Sequence, residues 1–301
     1  MSLKKVRDCI KLVVYIIIPI HNRQTITLKC LAELIRQDIF SYCTVVIVDD
    51  GCTDGSLEAI TIQYPQVKVI KGDGNLWWTG AIKLGMEYAY KKGADYFIWL
   101  NDDTLPAVGA ISTLIDTCVQ HQPCAVAAQC YETKRYQQPT YGGQQRIGLT
   151  HKPLLPPRHG EVDCDSLSGN LTCIPRSAVD KVGFPPAKKL PHYQGDTVYT
   201  WRLKQVGFRL LVTDRARAQC SKNPGSPSWL RSDTAIIELW KQLFSPKSSF
   251  YIPGFWHFCI TFWGPLGMLV FIRSYSRLGL ISLIKWIIPK TLLRMLIVSR
   301  S

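Results

Sequence analysis

The chain has 301 residues with a hydrophobic fraction of 47%, enough to bury a sizeable core as one large domain or one domain with an appendage. Its 36 Lys and Arg against 22 Asp and Glu leave a net charge of +14, which suits nucleic acid, an anionic membrane or an anionic small substrate; the basic residues are dispersed and form no stripe with aromatics, so nucleic acid is not expected as a partner. Eleven scattered cysteines without paired C-x-x-C spacing argue against a zinc site or a secreted disulfide scaffold, and fit buried thiols in a reducing compartment.

The opening MSLKKVRDC is polar, and no secretory signal is expected. LVVYIIIPI is short and interrupted by Pro19, so it reads as a strand over 12–18 buried on both faces. A helix follows, with Leu28, Leu31, Leu34 and Ile35 on one face and Asn22 placed to cap it. TVVIVDDG is a second strand, TDGSLEAITIQY opens a helix, and VKVI at 67–70 is a third strand. TGAIKLGMEYAYKKG is a helix with Gly93 at its C′ position, DYFIWL a fourth strand, and PAVGAISTLIDTCVQH a helix with Pro106 in its first turn. This alternation over the first 120 residues predicts a parallel sheet with helices on both faces, whose ligands bind beyond the carboxyl ends of the strands. Asp49 and Asp50 follow the second strand and Asn101, Asp102 and Asp103 the fourth, so two acidic clusters are expected in one crevice.

From about 125 to 215 the pattern is mixed, as suits the second wall of a cleft: strands at AVAAQ, NLTCI and FRLLVT, helices at PRSAVDKVG and DTVYTWRLKQVG. SPKSSFYIPG then reads as a linker. FWHFCITFWGPLGMLVFI at 255–272 is almost free of charge but broken by Gly264, Pro265 and Gly267. Lys285, Lys290 and Arg294 then lie among Leu, Ile and Trp, with Trp256, Trp263 and Trp286 suited to an interface. The expectation is a membrane-surface or re-entrant element, with a pair of core helices as the alternative.

Taken alone, Asn101-Asp102-Asp103 is either a turn or an oxygen cluster for a hard divalent cation. The glycine-rich GDGNLWWTGAIKLG is not a P-loop, and no G-x-G-x-x-G follows the first strand, which disfavours P-loop ATPases and dinucleotide oxidoreductases. Asp196 either caps its helix or acts as a base; Trp77 and Trp78 either pack in the core or wall a pocket.

Five motifs in order, IIIPIHNR, VIVDDGCTDGS, GNLWWTGAIKLG, IWLNDDT and HYQGDTVYTWRLKQVGF, resemble those of the family 2 glycosyltransferases, inverting nucleotide-sugar enzymes. The resemblance runs from about 12 to 213 and is nearest in flavour to rhamnosyltransferase-type members. It implies an α/β, Rossmann-like GT-A fold: a mixed, mainly parallel sheet flanked by helices, with a C-terminal helical membrane-associating element. The domain would span 1–244, with a nucleotide-binding half to about 120 and an acceptor half over 121–244, and the hydrophobic, basic helical region would follow at 245–301. By the same resemblance, Asp50 binds the base, Asp103 holds Mg²⁺ or Mn²⁺ on the nucleotide diphosphate, and Asp196 is the general base. Pro19, His21, Asn22, Asn75, Gly80, Asn101 and Asp102 join the donor site; Trp77, Trp78, Gly169, Asn170, His192 and Arg202 are acceptor or phosphate contacts.

The sequence departs from that pattern in three places. His21 stands where Tyr is common, Gly195 replaces a Glu, and Cys220 and Ser221 fall where many members place a His. The implied partners are a nucleotide sugar, a glycan or lipid-linked acceptor and an anionic membrane surface; the implied location is peripheral, on the inner face of the cytoplasmic membrane. Two other readings compete. A nucleotidyltransferase would want a Gly-rich, basic signature where IPIHNRQT stands, and a non-catalytic sugar-nucleotide-binding protein would fit the departures.

Overall fold

In the structure, a computed structural model that describes residues 12–222 and 235–287, the expected alternation builds a parallel sheet. Strands β1 (Val14–Ile20), β2 (Thr44–Asp49), β3 (Lys68–Lys71) and β4 (Tyr96–Leu100) are joined by α1 (Gln24–Arg36), α2 (Ser56–Gln63) and α3 (Trp77–Lys91). Their order is β3-β2-β1-β4, all parallel. The chain winds outward from β1 to β3, then crosses back to pair β4 with the other side of β1. Loops leaving β1 and β4 therefore diverge and open a crevice at their carboxyl ends.

Strand β1 is covered on both faces, as its unbroken apolar run requires. Ile16 and Ile18 pack with Cys30, Leu31 and Leu34 of α1, while Ile17 packs with Ala81, Ile82 and Met86 of α3. Ile35, expected on the buried face of α1, is exposed. Helix α3 lies close because Gly85 has no Cβ; one there would fall 2.4 Å from Ile17 Cγ2.

The second half contributes β5 (Leu105–Pro106), α4 (Ala110–Gln120), β6 (Cys124–Tyr131), β7 (Gly143–Ile147), β8 (Thr150–Leu154), β9 (Glu161–Asp163), β10 (Ser166–Leu167), β11 (Leu171–Pro175), α5 (Arg176–Val182), α6 (Gly195–Gln205) and β12 (Arg209–Gln219). The main sheet continues from β4 through β11, β6, β12 and β5, and β9 also pairs with β12. Because β11 is antiparallel to β4, with Leu171 opposite Leu100, Gly169 and Asn170 arrive at the same edge as Asn101. The Asn101 amide donates to the Asn170 carbonyl at 3.0 Å.

Two local expectations are corrected. Pro106 is not in a helix: it pairs with Ala218 in β5, and α4 begins only at Ala110, after Gly109 turns the chain at φ 79°. Asn22 caps nothing. It lies in the left-handed region at φ 52°, and its Oδ1 accepts the Thr53 amide at 2.7 Å. The free amide of Gln24 at the start of α1 goes instead to Asp54 Oδ2 at 2.9 Å, a cap supplied by the loop after β2. Gly93 does take the expected left-handed turn, at φ 81°. None of the ten described cysteines is in a disulfide, and only Cys52 is not buried.

After α7 (Ile236–Lys241), the tail forms α8 (Ile252–Trp263) and α9 (Gly267–Ile287), an antiparallel hairpin broken where Gly264 and Pro265 predict. A Cβ on Gly267 would lie 2.0 Å from the Cys259 carbonyl oxygen, so glycine permits the tight return. Phe258, Phe262 and Trp263 pack on Leu190 and Val198, so α8 is in part an ordinary core helix. On α9, Leu278 packs with Leu239 and Leu243, while Leu269, Ile272, Leu280, Leu283 and Trp286 are exposed. Ile252–Ile287 is long and apolar enough to cross a membrane, a property it shares with core helices of soluble proteins. Lys290 and Arg294 lie outside the described residues.

Candidate active site

A cleft of about 620 Å³ opens at the carboxyl ends of β1 and β4 and is closed by the start of α6. It gathers Pro19, His21, Asp50, Asn75, Trp77, Trp78, Asn101, Asp102, Asp103, Gly169, Asn170, His192 and Asp196 from segments far apart in sequence. Asn22, Gly80 and Arg202 do not line it. Gly80 sits under Leu76, with room for a Cβ only at 3.1 Å. Arg202, expected near a phosphate, faces the other way and donates to the Val182 carbonyl at 2.6 Å, satisfying the end of α5.

Asp50 is buried and holds a loop in shape. Its Oδ1 accepts the amides of Gly74 (2.9 Å) and Leu76 (3.1 Å), and its Oδ2 the amide of Trp77 (2.9 Å). His21 is oriented by the same turn: its Nδ1 lies 2.7 Å from the Asp50 carbonyl oxygen. A carbonyl only accepts, so Nδ1 carries the proton and Nε2 is the acceptor, 3.4 Å from Asn22 Nδ2.

Arg23 governs the acidic cluster after β4. Its two terminal nitrogens reach Asp102 Oδ1 and Asp103 Oδ2, each at 2.9 Å. Asp102 is 3% exposed and Asp103 31%. Burial pushes the Asp102 carboxyl up to about 6, against the pull of Arg23. Asn101 Oδ1 accepts the Trp78 indole N–H at 2.7 Å, so its NH₂ remains to donate. Cys220 lies beside this cluster, its Sγ 3.3 Å from Asn170 Nδ2 and 3.8 Å from Asp103 Oδ1.

Among the described residues there is no group of three or more His, Cys, Asp or Glu placed to hold a metal. Within the cluster after β4, Asp103 rather than Asp102 presents a partly exposed carboxylate to the cleft. That donor set fits Mg²⁺ or Mn²⁺ arriving with phosphate oxygens, since Mg²⁺ commonly takes one or two carboxylates plus substrate oxygens; it does not fit an all-protein cage.

Asp196 is the second residue of α6, not its cap. Its Oδ2 accepts the Gly169 amide at 2.8 Å and its Oδ1 the Thr197 amide at 2.7 Å. Burial raises its carboxyl above the ordinary range, and the two amides oppose that shift. Gly195 has a steric reason: a Cβ there would lie 2.1 Å from Thr79 Oγ1. Gly169 has one too, since its Cβ would strike the Trp78 ring at 2.2 Å. Trp78 is thus at once wall and packing, edge-on to Trp99 with ring centroids 5.7 Å apart.

Several lining residues carried no assigned role in the sequence. Arg23 was visible within IIIPIHNR, but a basic residue after a strand has no distinctive signal. Tyr141, Tyr193 and Gln194 lie in segments without periodicity. Lys247 comes from the stretch read as a linker, and its Nζ lies 5.1 Å from the Trp77 ring centroid.

A profile of the family described as Glycosyl transferase family 2 matches residues 15–170. No functionally curated sequence matches the chain. Among solved structures, the fold resembles that of GalNAc-T7, crystallised with UDP, GalNAc and Mn²⁺, at TM-score 0.58 and 16% identity over 73% of this chain and 46% of that one. It also resembles TarS of S. aureus (TM-score 0.51, 16% identity, 77% of this chain and 40% of that one). A third likeness is to the mannosyltransferase PcManGT from Pyrobaculum calidifontis, in complex with GDP-Man and Mn²⁺ (0.51, 15%, 89% and 80%). The chain spans less than half the length of the first two, and at these identities the likeness is one of fold. The matched profile covers just over half of the chain, from β1 to Asn170 in the cleft wall, and the chain belongs to glycosyl transferase family 2, with a GT-A-like α/β fold.

Proposed function

We propose that the chain is an inverting glycosyltransferase moving a hexosyl group from a nucleoside-diphosphate sugar to an acceptor hydroxyl. The observation that carries this reading is the meeting of Asp50, Asp103 and Asp196 on one cleft. The Asp50 loop and His21 form the nucleotide end, with the imidazole face available to a base and Asn101 donating to a ribose or sugar hydroxyl. Asp103 would hold Mg²⁺ or Mn²⁺, which supplies charge neutralisation to the departing diphosphate. Asp196 accepts the acceptor's hydroxyl proton as that oxygen attacks the anomeric carbon. Such a base contributes about 10²- to 10⁴-fold, and its raised affinity for protons suits that role. A single base opposite the leaving group gives a single displacement, hence inversion.

The acceptor is a glycan or a lipid-linked glycan, as in polysaccharide biosynthesis, and residues 245–301 are the unit that holds the enzyme to an anionic cytoplasmic membrane face. What supports the membrane role is the exposed apolar row of α9 with Arg273, Arg277 and Lys285 among it. Both Arg277 and Lys285 also engage other groups, so the attraction is shared.

A panel of UDP-, GDP- and dTDP-sugars tests the activity, read as Mn²⁺-dependent nucleotide release and as the anomeric configuration of the product. Release lost in Asp103→Ala and Asp196→Ala is expected; nucleotide binding without turnover by the unaltered protein would sink the enzymatic reading. Flotation with phosphatidylglycerol-containing vesicles tests docking, which Leu283→Glu should weaken.

A further inference from the structure

The cleft is lined by four carboxylates, Asp50, Asp102, Asp103 and Asp196, and by two permanent cations, Arg23 and Lys247. Arg23 is committed to Asp102 and Asp103. Among the described residues no carboxylate pairs with Lys247; its ammonium rests against the Trp77 ring. We infer that Lys247 is a contact for the diphosphate of the donor, delivered into the cleft by the C-terminal helical unit. This rests on the nucleotide-sugar reading above and goes beyond it by assigning the leaving group a residue outside the region of family resemblance.

Three further observations support the assignment. Trp77 is held at φ 56°, a left-handed conformation that is strained for a bulky residue. That turn lets its amide bond Asp50 while its indole stands beside Lys247. His192 packs edge-on to Trp77 at 6.1 Å, and its buried Nδ1 has no partner among the described residues. Burial, and then the charge of Lys247, lower its proton affinity, so the neighbour of the ammonium is a neutral ring that leaves the positive charge uncompensated. Finally, the strap carrying Lys247 is pinned. The Ser248 amide donates to the Ser245 carbonyl at 2.9 Å, the Tyr251 amide to the Ser248 carbonyl at 3.1 Å, and the Tyr275 hydroxyl of α9 to the Phe250 carbonyl at 2.7 Å.

The ligand class follows from charge. A cleft rich in carboxylates repels anions, and the diphosphate concentrates more negative charge than any other group in the proposed reaction. The contact of an ammonium with a ring at a partly exposed site is weaker than its charge-assisted hydrogen bond to an anionic oxygen. A phosphate oxygen therefore outcompetes the ring for the ammonium. Besides any contact with a membrane, the α8–α9 hairpin then sets the position of a donor-binding cation.

Calorimetric titration of the full chain, with Mn²⁺ present throughout, tests this using UDP, GDP, dTDP, the matching nucleosides and inorganic pyrophosphate. Lys247→Ala should weaken the nucleoside diphosphate that binds, and pyrophosphate, by about ten- to a hundredfold, with the nucleoside unaffected. Lys247→Arg should restore most of the affinity. Tyr275→Phe, remote from the cleft, should give a smaller loss in the same direction. Unchanged nucleoside-diphosphate affinity in Lys247→Ala at an unchanged melting temperature would overturn the inference, including the case where only the acceptor KM rises. Failure of the unaltered protein to bind any nucleoside diphosphate would instead bring down the functional reading itself.

Discussion

The indole N–H of Trp78 donates to Asn101 Oδ1 at 2.7 Å, and that bond decides which end of the amide faces the cleft. Indole only donates, so the Asn101 oxygen is used by Trp78 and its NH₂ is left to donate in the cleft. The residue that opens the acidic cluster after β4 is thus a hydrogen-bond donor, which leaves Asp103 as the partly exposed carboxylate of that cluster. Trp78→Phe keeps a ring against Trp99 but strands that half-buried oxygen. The expected cost is about 1–3 kcal/mol, read as a lower midpoint in thermal or urea unfolding. Asn101→Asp keeps the acceptor and adds negative charge beside Asp103, so Mn²⁺ titration should show tighter binding.

Asp196→Asn should lower transfer by about 10²- to 10⁴-fold while nucleotide affinity stays near that of the unaltered protein. The pH profile gives an independent readout. Burial raises the Asp196 carboxyl above the ordinary range, and a base works only when deprotonated. Activity should therefore fall as pH is lowered through a value above that of a free carboxylate, and this acid limb should vanish in the residual activity of the Asn variant.

Gly195→Ala should destabilise the chain although it alters no polar group, because the added methyl would meet Thr79 Oγ1 at 2.1 Å. Overpacking of this kind costs about 1–3 kcal/mol. Thr79→Ala in the same chain removes the nearest atoms, so a double-mutant cycle of melting temperatures should show partial recovery. Additive losses would contradict the contact.

Arg23→Ala tests the charge balance at Asp102. That carboxyl titrates at 3.8 when free and at about 6 in the fold. The native state therefore holds the proton more tightly, and this group's contribution to stability declines as pH rises from 3.8 toward 6. Arg23 opposes the shift, so its removal moves the folded value further up and enlarges the penalty at neutral pH. Arg23 is partly exposed, so the expected loss is about 1–2 kcal/mol near pH 7.5, shrinking near pH 5 in paired melts.

The sequence alone was enough to place β1 to β4, α1 to α3 and the acid at their carboxyl edge. Local pattern encodes those features: an apolar, largely β-branched run such as that of Val14–Ile20 reads as a strand covered on both faces, and its loop must leave at a fixed edge. Gly93 and the break at Gly264 were legible for the same local reason. Tertiary structure alone decided the rest, because the partners are remote in sequence. Asp54 caps α1 from another loop, displacing Asn22; Arg23 reaches Asp102 and Asp103 across the switch point; Pro106 is drawn into the sheet by Ala218; and Arg202 turns to Val182. Lys247, in a stretch with no periodicity at all, enters the cleft because the packing of α8 and α9 brings it there. Periodicity reports which face of an element is buried, whereas a hydrogen bond or ion pair between distant segments exists only once the sheet has set their distance.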